Sequence, residues 1–249
     1  MKRLTVITGV VATFLLSSLT TLAQTPSRED LLREIETKRA EVVELEKTYL
    51  SPAEEDRVRY ADFLRTPNSG LIRLLPREKV DTEAYKDVKR AIVIRGGGAF
   101  YSFTRLTHEY GFGSDLSLDH GQFQVGFAGA DYGFLADIGD IPIETVNAEA
   151  PAVAVFSAYK SAREEPLARI EYRKLAQGAE LDGVLVKSRV PVKANSTYLL
   201  RSINYLKSDV LVAFRVVRVD SDGSAIIVWK LLEKYGKPKL NPSEPVVVG

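Results

Sequence analysis

Four ionisable side chains between residues 108 and 120 are of the types that catalyse hydrolysis or bind a metal ion. They are His108, Glu109, Asp119 and His120, and they include both histidines of the chain. Two imidazoles and two carboxylates are able to hold zinc with one coordination position left open for water. One imidazole beside a carboxylate is also able to act as a general base. These four residues are therefore the catalytic candidates of the sequence.

The spacing of the same four residues argues against a metal site. No second histidine follows His108 at the spacing that places two zinc ligands on one face of a helix. In a β-strand, neighbours such as His108 and Glu109 point to opposite faces of the sheet, so they cannot bind one ion together. Asp119-His120-Gly121 is in addition typical of a tight turn. The sequence thus predicts no metal site.

Nucleophilic catalysis has less support in the sequence. The chain contains no cysteine and no Gly-x-Ser-x-Gly motif, so a thiol nucleophile and the nucleophile elbow of the α/β-hydrolases are both absent. Ser102 or Ser114 paired with His108 stays open. A hydrolase that uses His108 or His120 with a nearby carboxylate is therefore the enzymatic alternative.

Aromatic side chains are the stronger functional feature. Residues 95–140 contain nine of the chain's 21 Phe and Tyr residues. If the rings line one face of a sheet, their faces and the flanking Asp and Arg side chains suit a sugar or a small apolar ligand. The candidates for this ligand site are Tyr101, Tyr110, Phe112, Tyr132, Phe134 and Arg105. The alternative interpretation is that the same rings form a hydrophobic core.

The same segment contains ten of the chain's 17 glycines. The triple glycine at 96–98 is compatible with a phosphate-binding loop, but no Gly-x4-Gly-Lys-Ser/Thr motif follows and the third glycine of Gly-x-Gly-x-x-Gly is missing. Glycine inside strands marks bulges, sheet corners and close backbone contacts. We therefore predict that these glycines serve the geometry of a sheet, with a binding groove as the alternative. No cofactor is predicted.

Alternation of apolar and polar residues predicts the strands that must position these side chains. Alternating segments cover 100–105, 115–119 and 122–127, and His120-Gly121 lies between two of them as a hairpin turn does. They predict an antiparallel meander of about four strands. A short apolar run from Val153 to Phe156 predicts a further strand. The clearest hairpin joins 210–217 to 225–232 through a turn at 220–223.

Residues 27–50 predict a long N-terminal helix. Ser27 and Asp30 have the spacing of a capping box, and no Gly or Pro interrupts the segment. A heptad spacing of about three repeats is formed by Leu31, Ile35, Val42, Leu45 and Tyr49. The spacing is compatible with a short coiled coil that joins copies of the chain, and equally with a surface helix packed on the protein's own body.

Two further helices are predicted from their capping residues. One begins after Ser51 as the N-cap and extends to about Leu64. The other begins at Glu165, ends at Gly178, and is expected to bury one apolar face. That face is formed by Leu167, Ile170 and Leu175.

The first 23 residues have the pattern of a cleaved signal peptide. Lys2 and Arg3 precede an uncharged apolar segment, and small residues at positions 21 and 23 fit cleavage before Gln24. An uncleaved anchor is the alternative, which the Thr and Ser residues of this segment disfavour. Cleavage predicts a periplasmic or secreted protein without a membrane span.

The net charge of the chain limits the classes of partner that it is expected to bind. Removal of residues 1–23 takes two of the 34 basic residues and none of the 33 acidic residues, which leaves 32 basic residues and a formal charge of −1. No basic field is then present to attract nucleic acid or an anionic membrane. We accordingly expect no nucleic-acid partner.

These patterns together predict an α+β protein. A helical arm with a possible short coiled coil precedes an antiparallel, Gly- and aromatic-rich β domain with one or two covering helices. The predicted boundaries are a signal peptide at 1–23, the arm at 24–66, the β domain at 67–236 and an extended tail at 237–249. We expect an exported, non-enzymatic binding or interaction module for an unknown small ligand or protein partner, with a possible homo-oligomer through residues 27–50.

Overall fold

The computed structural model describes residues 26–79, 94–111, 113–127 and 129–241. The predicted signal peptide at 1–23, the candidate Phe112 and the last eight residues of the predicted tail lie outside these ranges. By its internal contacts the chain divides into two units, Met1–Arg39 and Ala40–Gly249. All strands of the described ranges belong to the second unit.

Four α-helices lie entirely within the described ranges. They are α1 (Arg28–Tyr49), α2 (Glu54–Arg59), α3 (Pro151–Ala158) and α4 (Glu165–Gln177). None of the described helices is both long enough and apolar enough to cross a lipid bilayer. Short 3-10 turns at Phe63–Arg65 and Ile143–Thr145 add to them.

The predicted capping box of α1 is confirmed, and the predicted N-cap of the second helix is wrong. At the start of α1, the Asp30 backbone N–H donates to Ser27 Oγ at 3.1 Å, and the Ser27 N–H donates to Asp30 Oδ2 at 3.3 Å. Ser51 instead donates its hydroxyl back to the Lys47 carbonyl at 2.7 Å. Its oxygen therefore serves the end of α1, and α2 begins at Glu54 without a side-chain cap.

Antiparallel pairing arranges eleven strands of the described residues into three sheets. The strands are β1 (Ser69–Leu74), β2 (Phe100–Tyr101), β3 (Leu116–Asp119), β4 (Gln122–Gln124), β5 (Tyr132–Gly139), β6 (Ala179–Leu181), β7 (Val184–Val186), β8 (Arg189–Pro191), β9 (Thr197–Asn204), β10 (Ser208–Val219) and β11 (Ala225–Lys234). The largest sheet has the order β1-β11-β10-β9-β5, the second has the order β2-β3-β4-β8, and β6 pairs with β7.

Two predicted hairpins are confirmed. Strands β10 and β11 pair across the turn at 220–223, and β3 pairs with β4 across His120-Gly121. Both turn residues have positive φ, +48° at His120 and +69° at Gly121, as the two-residue turn that matches strand twist requires. The predicted meander extends only through β2, β3 and β4, because the next strand in the chain, β5, joins the larger sheet and β8 takes the fourth place.

Alternation along the large sheet produces two core layers. In β10, Val210, Val212 and Phe214 pack toward the four-stranded sheet, whereas Leu211 and Ala213 pack toward α3 and α4. Side chains of successive strand residues point to opposite faces, so one strand contributes to both layers. The protein is thus an α+β fold, with an antiparallel sheet covered by a second sheet on one face and by two helices on the other.

The predicted strand at Val153–Phe156 is wrong, because this segment forms α3. Pro151 occupies the first turn of the helix, where its missing N–H costs no hydrogen bond. Val153 and Phe156 are three residues apart, so in a helix they share one face. Both are buried against the large sheet. A short apolar run is compatible with a strand or with a helix. Packing against the large sheet favours the helix here.

Helix α4 has the predicted ends but not the predicted buried face. It spans Glu165–Gln177, and Gly178 follows with φ of +99°. Leu175 is buried as expected, but Leu167 and Ile170 are 47% and 48% exposed, and Ala168 is buried in their place. Ala168 lies seven residues before Leu175, which is two helical turns on the same face.

Candidate functional site

The two histidines lie in different surroundings, and His108 packs against neighbouring residues of the fold. Its Nε2–H donates to the Arg73 carbonyl at 2.9 Å, and its ring meets the edge of Tyr101 with centroids 5.0 Å apart. Burial lowers the pKa of the His108 imidazole, although the hydrogen bond to Arg73 opposes that effect. Its neighbour Glu109 is exposed. This histidine thus joins a loop to β1 through its hydrogen bond to the Arg73 carbonyl.

His120 forms a dyad with Asp119 on the exposed β3–β4 turn. The ring nitrogen Nδ1 lies 2.9 Å from Asp119 Oδ1, and the side chain of His120 is 77% exposed. The arrangement resembles the base and orienting carboxylate of a hydrolase. Among the described residues, however, no hydroxyl hydrogen-bonds to the other ring nitrogen, so the dyad lacks a positioned nucleophile.

Glu78 approaches the same turn, so three groups of metal-ligand type meet there. One atom from each of Glu78, Asp119 and His120 lies within 4.8 Å of the others. Both carboxylates accept hydrogen bonds at this turn. Glu78 accepts the His120 backbone N–H at 2.9 Å, and Asp119 accepts the Gln124 amide at 3.1 Å. These hydrogen bonds close the β3–β4 hairpin, which explains why the three groups lie close together.

Three of the aromatic candidates for the ligand site lie in the hydrophobic core. Tyr101 is 5% exposed, and Tyr132 and Phe134 are fully buried. The Tyr132 hydroxyl accepts the Ala162 backbone N–H at 2.9 Å, which ties β5 to the segment before α4. Arg105 is exposed in a turn after β2. Tyr110, another member of the predicted set, lines two surface pockets.

Tyr110 lies in a surface groove formed by three adjoining pockets. Their volumes are about 350, 210 and 170 Å³, and Phe127 lines all three. The first and third pockets also share Asp131, and the second and third share Tyr110. We call these three neighbouring pockets together the Phe127 groove.

Packed rings form the base of the Phe127 groove. Phe100 is buried, and its ring centroid lies 4.5 Å from that of Tyr110 and 5.2 Å from that of Phe127. Tyr110 and Phe127 are partly exposed above it. Because tilted and edge-on ring pairs are favourable arrangements, the two accessible rings are held in place before any ligand arrives.

Glycine makes room for this ring cluster. A Cβ on Gly96 would lie 2.7 Å from the Phe100 ring and 2.8 Å from Tyr110 Cβ. A Cβ on Gly126 would lie 2.9 Å from the Tyr132 Cα. Both glycines have positive φ, +88° and +81°, where other residues are strained. The same glycines therefore shape the backbone, as predicted, and make room for the rings of the groove, which was the alternative.

Basic side chains line the walls of the groove. Arg77, Arg95 and Lys207 line the pockets beside Tyr110, and Arg169 and Arg173 line the pocket beside α4. The guanidinium carbons of two of them lie over rings, Arg77 at 5.8 Å from the Phe100 centroid and Arg95 at 5.4 Å from the Tyr110 centroid. Stacking of this kind stabilises an arginine and fixes its orientation.

One carboxylate, Asp131, is among the lining residues of these pockets. It accepts the Tyr205 backbone N–H at 2.8 Å and lies 3.4 Å from the Lys207 ammonium. Its charge is therefore already used to hold the loop after β9. Two of the five basic groups are thus already paired, Lys207 with Asp131 and Arg169 with Glu165 at 2.9 Å.

A buried carboxylate, Asp115, anchors the loop that carries Tyr110. It is fully buried and accepts hydrogen bonds from Ser202 Oγ at 2.7 Å, Asn204 Nδ2 at 3.0 Å and the Phe103 backbone N–H at 2.8 Å. None of these partners is charged, and burial raises the pKa of Asp115 to about 7. Asn204 also lines the smallest pocket of the groove. Asp115 thus connects the loop after β2 to β9 beneath the groove.

Sequence reasoning did not select most residues of the groove. Phe100 and Phe127 stand in alternating segments that the sequence assigned to strands, and only their aromatic character could have marked them. The basic lining residues come from separate parts of the chain and carry no local motif. No family model matches this chain, and no curated protein or solved structure is significantly similar to it.

Proposed function

We propose that this protein is an exported, non-enzymatic binding module whose ligand occupies the Phe127 groove. The observation that carries the proposal is the pair of partly exposed rings, Tyr110 and Phe127, fixed on the buried ring of Phe100. Rigid aromatic faces offer a large contact area at a small entropic cost, since they are already ordered. A pocket of about 350 Å³ adjoins them, which is within the size range of small-molecule sites.

The placement of the histidines favours binding over hydrolysis. His108 donates to a backbone carbonyl, and the pKa of its imidazole is lowered by burial. His120 stands with Asp119 on an exposed turn, and neither histidine lines the pockets of the Phe127 groove. General-base catalysis needs the base within hydrogen-bond reach of the reacting group in a site that excludes water.

Replacing the rings of Tyr110 and Phe127 tests the binding function. We expect the Tyr110→Ala, Phe127→Ala double variant to bind at least about fivefold more weakly to any glycan that binds the native protein, because each aromatic contact contributes about 0.5–1.5 kcal/mol. Titration calorimetry with a panel of neutral and acidic oligosaccharides measures the loss. Tyr60→Ala is the matched control, since Tyr60 is also partly exposed and lines none of the pockets of the groove.

Unchanged affinity in the double variant would contradict the proposal. Cleavage of a panel member by the native protein that disappears in His120→Ala would replace it with the hydrolase alternative. The same titration samples, analysed for shortened products, distinguish these outcomes.

The proposal includes self-association through α1. The heptad residues of this helix are exposed, Leu31 to 45%, Ile35 to 45%, Val42 to 36% and Leu45 to 69%. Apolar side chains at this spacing are covered when two helices wrap around each other. Isolated apolar residues are common on surfaces, but a row of them along one helix, interrupted only by Lys38 at one heptad position, favours a partner helix.

Charging this seam should convert an oligomer to a monomer. We expect Ile35→Glu, Val42→Glu to lower the mass in solution to that of one chain that still folds, since both side chains are exposed in the single chain. Light scattering after size exclusion measures the mass. Arg33→Glu, Ala40→Glu places charges on the opposite side of α1 and should leave the oligomer intact. A native protein that is monomeric at micromolar concentration would refute self-association.

A further inference from the structure

We propose that Asp115 is a pH-sensitive latch, whose protonated form holds the connection between β2 and β3 against the large sheet and whose ionised form releases it. The connection carries Tyr110, so the latch decides whether this ring is held on Phe100 in the Phe127 groove. The latch goes beyond the proposed binding function, because it concerns when the groove is formed and not which ligand occupies it.

Asp115 joins both ends of the β2–β3 connection to the large sheet. Its Oδ2 accepts the Phe103 backbone N–H at 2.8 Å, at the start of the connection. Its Oδ1 accepts the Ser202 hydroxyl at 2.7 Å, from β9. Its own backbone N–H donates to the Tyr101 carbonyl at 2.8 Å. A change at this one carboxyl group therefore acts on the whole attachment of the connection to β9.

The hydrogen bonds of Asp115 accommodate either protonation state. The Phe103 N–H and the Asn204 side-chain amide, which lies 3.0 Å from Oδ1, act as donors in both states. The Ser102 hydroxyl is able to donate or to accept. Its oxygen lies 3.4 Å from Asp115 Oδ2 and 3.3 Å from Thr104 Oγ1, so its proton has a second acceptor once Asp115 is protonated. Burial of the charge, and not a lost hydrogen bond, therefore distinguishes the two states.

Ionised Asp115 meets no compensating cation on the face of the large sheet that it contacts. The side chains that β9 and β10 place around it are uncharged, namely Ser202, Asn204 and Ser208. Arg201 and Asp209 point to the opposite face of the sheet, where they pair with each other at 2.6 Å. Within the described ranges Asp115 has no ion-pair partner, and it is fully buried.

Other titratable groups lie near the latch. Burial, and then the charge of Asp115, raises the pKa of the Tyr101 phenol, which stays neutral. His108 packs on the Tyr101 ring, and burial lowers the pKa of its imidazole. Lys207 lies beside Gly113 and pairs with Asp131 at 3.4 Å. Because His108 also titrates in the acid range, the test must separate its effect from that of Asp115.

The sign of the pH effect follows from the two environments of the carboxyl group. Burial raises the pKa of Asp115 to about 7 in the closed state, whereas a carboxyl group that meets water titrates at about 3.9. The closed state is therefore most favoured below a pH of about 4 and becomes less favoured as the pH rises through about 7. Between pH 5 and pH 7 the open fraction should rise about 50-fold.

Amide hydrogen exchange of the native protein, measured residue by residue by NMR from pH 5 to pH 8, tests the latch. The Phe103 N–H, which donates to Asp115, and the Tyr110 N–H, which donates to the Arg95 carbonyl at 2.7 Å, report opening of the connection. We expect the protection of both, corrected for the intrinsic exchange rate, to fall about 50-fold between pH 5 and pH 7. Phe214 in the centre of the large sheet should stay more protected at every pH, because only global unfolding releases it.

Three variants assign the effect to Asp115. Asp115→Asn should make the protection of Phe103 independent of pH in this range, because the amide does not titrate. Ser202→Ala removes a hydrogen bond that lowers the pKa of Asp115, so the fall should move to higher pH. Asp62→Asn changes a side chain that is 94% exposed and should behave as the native protein.

Equal protection of Phe103 and Phe214 would overturn the latch, since the connection would then open only when the whole protein unfolds. A fall that persists in Asp115→Asn would assign the pH response to another group, such as His108. If Asp115→Asn does not fold, an unshifted profile in Ser202→Ala overturns the latch instead. A response of Phe103 without one of Tyr110 would refute the coupling to the groove. None of these measurements uses a ligand, so each outcome is distinct from a failure of the proposed binding function.

Discussion

Replacement of Gly133 by valine should prevent folding or lower the free energy of unfolding by about 3 kcal/mol or more. A Cβ at this position would lie 2.3 Å from the Arg201 carbonyl oxygen and 2.6 Å from Val125 Cγ2. The first contact is with the backbone of the paired strand β9, which cannot move aside as the end of a long side chain can. A side chain at Gly133 would therefore push β5 away from β9, beside the segment after β4 that leads to the groove.

Urea unfolding of purified variants measures this effect. Gly236→Val is the matched control, because a Cβ at Gly236 meets no atom within 4 Å. Gly126→Val should also destabilise the protein, since its φ is +81° and its Cβ would lie 2.9 Å from Tyr132 Cα. A Gly133→Val protein as stable as the Gly236→Val protein would show that the glycine-rich segment is not a scaffold.

Replacement of Asp115 by asparagine should remove a large pH dependence of stability. The pKa of Asp115 is raised to about 7 in the folded state by burial, and its value in the unfolded chain is about 3.9. A raised pKa means that folding favours the protonated carboxyl. Its contribution is complete below a pH of about 4 and is lost as the pH rises to about 7, which amounts to about 4 kcal/mol.

The free energy of unfolding of the native protein minus that of Asp115→Asn isolates this contribution. We expect the difference to fall between pH 4 and pH 7 and to stay constant above pH 8, because the amide does not titrate. Asp62→Asn, which changes a carboxylate whose side chain is 94% exposed, should give a much flatter difference. A difference for Asp115→Asn that does not change with pH would contradict the burial of an uncompensated carboxyl group.

Local patterns were sufficient for part of the fold. The capping box of α1, the ends of α4, the turn at His120-Gly121 and the β10–β11 hairpin were all predicted from neighbouring residues. In each case the structure depends on contacts within a few positions, such as a cap, a positive φ or an alternation along one strand. The α+β class follows from the same patterns.

Strands buried on both faces were not predictable in this way. Every residue of β9 is buried, so its sequence shows no alternation between a core face and a solvent face. Asp115 and Ser117 were assigned to the polar side of an alternating segment, yet both are buried. The second sheet covers these residues, and the pattern of neighbouring residues in the sequence does not indicate such a covering layer.

The candidate site was harder to predict from the sequence than the fold, because its residues come together only through tertiary contacts. The sequence by itself determined that residues 95–140 are rich in rings and glycine, and that His120 stands at a turn. Only the packing decided that Tyr101, Tyr132 and Phe134 enter the core while Tyr110 and Phe127 remain accessible. The cations come from α4, from the loop after β9 and from residues before β2. Segments so distant along the chain become neighbours only when the sheets and helices close around one core, so their shared charge has no signature in the sequence.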